Sequence, residues 1–210
     1  VKDLIITGDS FCASNTGWPG MLAKQLNLNL VSQGFPGHHW WKAKRYLDSV
    51  DTNNATAIII VHTNATRIPT EDSALVTFDH SQEPTSELEL SVKLYNKYIL
   101  NSEFLEWAQQ QWFIELETRY ENVIHLHSFP WSVEYGKNAH KNIEQNLCAL
   151  SLNELGAKEF SLFNDTRLNH LNEFNNLTLA NQLAEVIQND RQQLDTQEFE
   201  ALTDKWFKWH

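Results

Sequence analysis

Five consecutive apolar residues, Ala57-Ile58-Ile59-Ile60-Val61, constrain the fold of this chain more than any other feature. A strand that is apolar at every position must be covered on both faces, and β-branched side chains favour the pleated surface. Such a strand belongs at the centre of a parallel sheet with helices on either side. Three further strand candidates surround it. Leu4-Ile5-Ile6 stops at Thr7-Gly8-Asp9-Ser10, a second strand runs from about Asn29 to Ser32 and is closed by Gly34-Phe35-Pro36-Gly37, and Val123-Ile124-His125-Leu126-His127 is the last.

Helical patterns separate these runs. Trp18, Met21, Leu22 and Leu26 recur at spacings of three and four, with Pro19 tolerated in the first turn, and Ala43, Tyr46, Leu47 and Val50 form a second such stripe. Residues 63 to 85 are polar and turn-rich. Ser86-x-x-Glu89 then has the form of a capping box, opening a helical region that runs to about Tyr120 and breaks near Asn101-Ser102. A last helix is expected from Leu171 through Phe174, Leu179, Leu183 and Ile187. Beyond it, residues 188 to 210 read as an amphipathic extension ending in Trp206-Phe207-Lys208-Trp209-His210. Strands alternating with helices over 210 residues imply one domain, a three-layer α/β/α sandwich with a mainly parallel sheet and a ligand site at the carboxyl ends of its strands.

Charge narrows the partners. Lys and Arg total 16 against 27 Asp and Glu, and a net charge of -11 repels nucleic acid and anionic membranes. No stretch approaches the roughly 18 apolar residues that cross a bilayer, and VKDLIITGDS lacks the apolar core of a signal peptide. Cys12 and Cys148 are the only cysteines, too few for a disulfide framework, and read as buried thiols in a reducing compartment. Of the four N-x-S/T sequons, at Asn54, Asn64, Asn164 and Asn176, one falls on a candidate site residue, which argues against glycosylation. The expectation is a cytoplasmic, soluble protein.

Three strand ends deliver polar residues to one sheet edge: Gly8-Asp9-Ser10, Gly34 to Gly37, and His62-Thr63-Asn64. A serine hydroxyl there is a weak nucleophile until a base takes its proton, and the oxyanion formed by its attack on a carbonyl needs waiting hydrogen-bond donors. Glycine amides and an asparagine side chain are suitable donors, and the imidazole must come from elsewhere in the chain.

In these residues the chain resembles the SGNH hydrolase superfamily, the GDSL esterases and lipases, which have a flavodoxin-like sandwich. Gly8-Asp9-Ser10 matches the first block of that family. Gly37 in GFPGHHW is similar to the glycine of the second block. Asn64 in IIIVHTNA matches the asparagine of the third, with His62 and Ala65 where the family has Gly and Asp. His170, followed by LNEFNNLTLA, is similar in position to the histidine of the last block. The resemblance, which spans residues 4 to about 187, implies a nucleophile at Ser10, a base at His170, and oxyanion donors at the Ser10 amide, the Gly37 amide and the Asn64 side chain. Arg167 stands where the family has its orienting acid. Either Asp165, two residues earlier, reaches His170, or the backbone orients the ring and leaves a dyad. The lack of a glycine near Thr166 and Arg167 favours the dyad.

Arg67 follows Asn64 closely enough to hold a substrate carboxylate, or simply forms a surface ion pair. His38, His39 and the alternating pair His125 and His127 invite a metal reading, but no matched carboxylate or thiolate ligands accompany them and ester cleavage needs neither metal nor cofactor. The expected activity is hydrolysis of a carboxylic ester, a small acyl group on an alcohol or carbohydrate, through an acyl-enzyme. The rival is a catalytically silent domain of the same fold that binds carbohydrate or serves a homo-oligomer or larger assembly. A flavodoxin-like nucleotide binder is a more distant one, because no phosphate-cradling glycine loop is present.

Overall fold

The computed structural model describes residues 1–70, 86–129, 141–150, 170–189 and 191–199. Among them, β1 (Asp3–Gly8), β2 (Asn29–Gly34), β3 (Ala55–His62), β4 (Val123–His127) and β5 (Asn142–Asn146) form one sheet in the order β2-β1-β3-β4-β5, and every pairing is parallel. The all-apolar run lies inside the sheet as expected. Ile58, Ile59 and Ile60 are fully buried, and burial of each such side chain contributes about 1.5–3 kcal/mol.

The alternation of side chains along the strands assigns each helix to a face. Leu4, Ile6, Ile59, Val61, Ile124 and Leu126 face α1 (Trp18–Leu26) and α5 (Glu173–Asn189), which contribute Trp18, Leu22, Leu179 and Leu183. Ile5, Ile58, Ile60 and Val123 face α2 (Trp41–Ser49) and α4 (Ser102–Arg119), which contribute Ala43, Leu47, Trp112 and Leu116. The result is a three-layer α/β/α sandwich. No helix among the described residues is long and apolar enough to cross a membrane.

Local signals set several boundaries. Ser86 caps α3 (Glu87–Tyr98) by accepting the Glu89 amide at 3.2 Å, and Asn101 caps α4 by accepting the Phe104 amide at 3.0 Å. The break near Asn101-Ser102 is therefore a cap, one helix ending and another starting. The unexpected element is β5. Its sequence, Asn-Ile-Glu-Gln-Asn, buries only Ile143 completely and has no apolar run, because an edge strand needs no continuous apolar face. Trp206 to His210, expected as an amphipathic helix, lies outside the described residues.

Candidate active site

The strand order places a switch point between β1 and β3, the strands from which the chain winds in opposite directions, and ligands bind at the carboxyl ends of such strands. Ser10 emerges there. It opens a 3₁₀ turn, Ser10–Cys12, capped by Asp9, whose Oδ1 accepts the Phe11 amide at 3.0 Å. Two glycines give this turn its room. A Cβ on Gly8 would lie 2.3 Å from the Val61 carbonyl oxygen, and one on Gly34 would lie 2.5 Å from the carbonyl oxygen of Asp9. Gly8 lets β1 close on β3, and Gly34 lets the end of β2 back the serine turn.

The Ser10 hydroxyl meets the His170 ring, with Oγ and Nε2 2.9 Å apart across 160 residues of sequence. Both side chains are buried, and together they line a cleft with Phe11, Ser14, Pro19 and Leu171. The Phe11 ring stacks on the imidazole at 4.4 Å between centroids and 16° between planes. His170 enters α5 through an asparagine network. Asn172 Oδ1 accepts the Asn175 amide at 2.7 Å, Asn175 Nδ2 donates to the Leu150 carbonyl at 2.7 Å, and Asn176 Nδ2 donates to the carbonyls of Leu171 and Asn172, both at 2.9 Å. This network was not read from the sequence. Its signal is the density of asparagine in Asn-His-Leu-Asn-Glu-Phe-Asn-Asn, because asparagine side-chain oxygens at a helix entry accept the unpaired amides of the first turn.

Beneath Ser10, Asp9 is buried, and burial pushes its carboxyl above the ordinary range, opposed by the Arg67 guanidinium, the Phe11 amide and the hydroxyls of Ser128 and Thr63. Arg67 Nη2 stands 3.9 Å from Asp9 Oδ2, Nη1 donates to the His38 carbonyl at 3.3 Å, and the guanidinium lies 5.3 Å from the centre of the Phe129 ring. The expected substrate-binding Arg67 is thus buried and engaged inward. The sequence position after Asn64 gave no indication of that direction. Burial and the nearby Asp9 carboxylate push the Cys12 thiol well up, so it is a packing group, and Cys148 is also buried.

The expected oxyanion donors are arranged less directly. Gly37 adopts a left-handed conformation, φ 73°, in the loop after β2. Asn64 is exposed and its Oδ1 accepts both the amide and the hydroxyl of Thr66 at 2.8 Å, which leaves Nδ2 as the donating end. Among the described residues neither Gly37 nor Asn64 hydrogen-bonds to Ser10. Asp165 and Arg167 lie outside the described residues.

The histidines at the ends of β3 and β4 form a buried stack. His125 Nε2 donates to Glu117 Oε1 at 2.7 Å, His125 Nδ1 and His62 Nε2 are 2.8 Å apart, and His127 Nε2 donates to Asn142 Oδ1 at 2.6 Å. The His62 ring stacks on both neighbours, at 5.1 Å and 5.3 Å. Burial depresses all three, His127 to about 4, so they are neutral near pH 7. His39, whose Nδ1 accepts the Trp41 amide, is lowered to about 4 for the same reason. Among the described residues no three His, Cys, Asp or Glu side chains converge as metal ligands.

No protein-family model matches the chain, and comparison with curated proteins and with solved structures likewise gives no match.

Proposed function

We propose that this chain is a serine ester hydrolase of the SGNH type, acting on a small acyl ester of an alcohol or carbohydrate. The observation that carries the reading is the 2.9 Å approach of His170 Nε2 to Ser10 Oγ, in a cleft at the switch point of the sheet. As Oγ attacks the ester carbonyl, its proton passes to Nε2. The tetrahedral oxyanion is held by the Ser10 amide, the Gly37 amide and Asn64 Nδ2. The alcohol leaves with the proton from His170, and water attacks the acyl-serine with His170 again as base.

The second reading is a catalytically silent domain of the same fold. The inward engagement of Arg67 with Asp9 favours it, because that contact withdraws a cation from the substrate side. One experiment separates the two. Wild type and Ser10→Ala are treated with a serine-directed fluorophosphonate and assayed on short-chain p-nitrophenyl esters. Modification of Ser10 and ester hydrolysis lost in Ser10→Ala are expected. Unmodified Ser10, or hydrolysis that survives in Ser10→Ala, overturns the esterase reading.

A further inference from the structure

We propose that Phe11, the residue after the nucleophile, is a positioning residue that holds the His170 imidazole in line with Ser10 and favours its charged form. The inference rests on the esterase reading and adds to it a residue assigned by ring geometry. The two rings are nearly parallel, 16° between planes, with centroids 4.4 Å apart. Turning the imidazole about its Cβ–Cγ bond would drive its edge into the Phe11 face. The stack therefore keeps Nε2 directed at the Ser10 hydroxyl, 2.9 Å away.

Phe11 is itself held on several sides, which a plate for another ring requires. Its amide donates to Asp9 Oδ1 at 3.0 Å, its carbonyl accepts from Trp18 Nε1 at 2.7 Å, and its ring meets the Phe129 ring edge-on at 6.3 Å and 85°. The side chain is 6% exposed, so water does not screen the contact. The same turn thus fixes both reacting partners. Ser10 and Phe11 are consecutive residues of one short 3₁₀ helix, so the nucleophile and the plate for the base keep a fixed relation to each other.

Electrostatics gives the stack a second effect. An aromatic face carries the negative part of a quadrupole and attracts a cation. His170 is neutral before Ser10 attacks and an imidazolium while the oxyanion exists, so the Phe11 face interacts more favourably with the later state. This stabilisation acts through the ring face and is additional to any group that engages the ring edge.

The test compares wild type with a protein carrying pentafluorophenylalanine at position 11, which keeps the ring shape and inverts its quadrupole, and with Phe11→Met and Phe11→Tyr. Two quantities are read: the rate of fluorophosphonate modification of Ser10 and the ionisation midpoint of His170 by NMR. The fluorinated ring and Phe11→Met are expected to slow modification roughly tenfold and to lower the His170 midpoint, whereas Phe11→Tyr stays within about threefold of wild type. A His170 midpoint unchanged by the fluorinated ring would overturn the effect on the charged form, and modification unchanged in Phe11→Met would overturn the positioning and make Phe11 a packing residue alone. So would a Phe11→Tyr as slow as Phe11→Met. Wild type that fails to react at Ser10 overturns the esterase reading itself, and the proposal with it.

Discussion

Asn176 of α5 caps α1 from across the cleft: its Oδ1 accepts the Trp18 amide at 2.8 Å. Gly17, the residue at the start of α1, has no side chain to do so. One amide therefore ties α1 to α5, and its other end holds the carbonyls of Leu171 and Asn172, immediately after the base.

Asn176→Ala removes a helix cap and takes the side-chain partner from the buried Trp18 amide and Leu171 carbonyl, while the Asn172 carbonyl keeps the backbone amide of position 176. It should cost about 2 kcal/mol or more, read as a lower urea midpoint. Asn176→Asp keeps the acceptor for Trp18 and should lose less. Equal losses in the two variants would show that the cap contributes nothing. The burial and full engagement of this amide also predict that the sequon at Asn176 carries no glycan on the folded chain.

Arg67 bears on stability through Asp9. Because burial raises the native ionisation of Asp9 above its ordinary 3.8, the benefit of a protonated Asp9 is present at low pH and is lost as pH rises through the native value. Arg67 offsets that loss. Arg67→Gln should therefore cost about 3 kcal/mol near pH 7 and less at about pH 4.5, where more of Asp9 is protonated. Urea midpoints of both proteins at the two pH values decide it; a gap independent of pH would remove Asp9 from the account.

The histidine stack has the opposite sign. His62, His125, His127 and His39 all ionise below their ordinary 6.5 in the folded chain. The unfolded chain binds protons first, so the contribution is intact above 6.5 and falls as pH drops towards about 4. His127 and His39 each give a slope of about 1.4 kcal/mol per pH unit in that window. His127→Gln should reduce the slope of unfolding free energy against pH by that amount, and an unchanged slope would show that His127 titrates alike in both states.

The sequence made the frame legible wherever a residue pattern had one structural solution. An all-β-branched run such as Ile58-Ile59-Ile60 has to be buried on both faces, and Ser86-x-x-Glu89 has to start a helix. The pairing of Ser10 with His170 is implied by the family resemblance alone, and the structure brings the two side chains to 2.9 Å. What stayed hidden depends on side-chain direction. Arg67 reads as a ligand for a substrate carboxylate or as a surface ion pair, neither of which reveals its approach to Asp9, and Asn-Ile-Glu-Gln-Asn has too little apolar content to announce an edge strand. His62 looked like a departure from a glycine position, whereas it is the middle ring of a stack whose other members lie on the next strand.

Asn64 is where cap and oxyanion donor can be separated by one atom. Its Oδ1 holds Thr66, and its Nδ2 is the group assigned to the oxyanion. Asn64→Asp preserves the acceptor, and with it the turn, but replaces the donor by a charged oxygen that repels an oxyanion. Asn64→Ala removes both. If Nδ2 stabilises the transition state, both variants should lower kcat on a p-nitrophenyl ester by about a hundredfold to a thousandfold, the usual effect of losing one such donor, with KM little changed. If Asn64 acts only by shaping its loop, Asn64→Asp should retain wild-type kcat while Asn64→Ala loses stability. Steady-state kinetics of the two variants beside their urea midpoints distinguish these outcomes, and full activity in Asn64→Asp would remove Asn64 from the oxyanion hole.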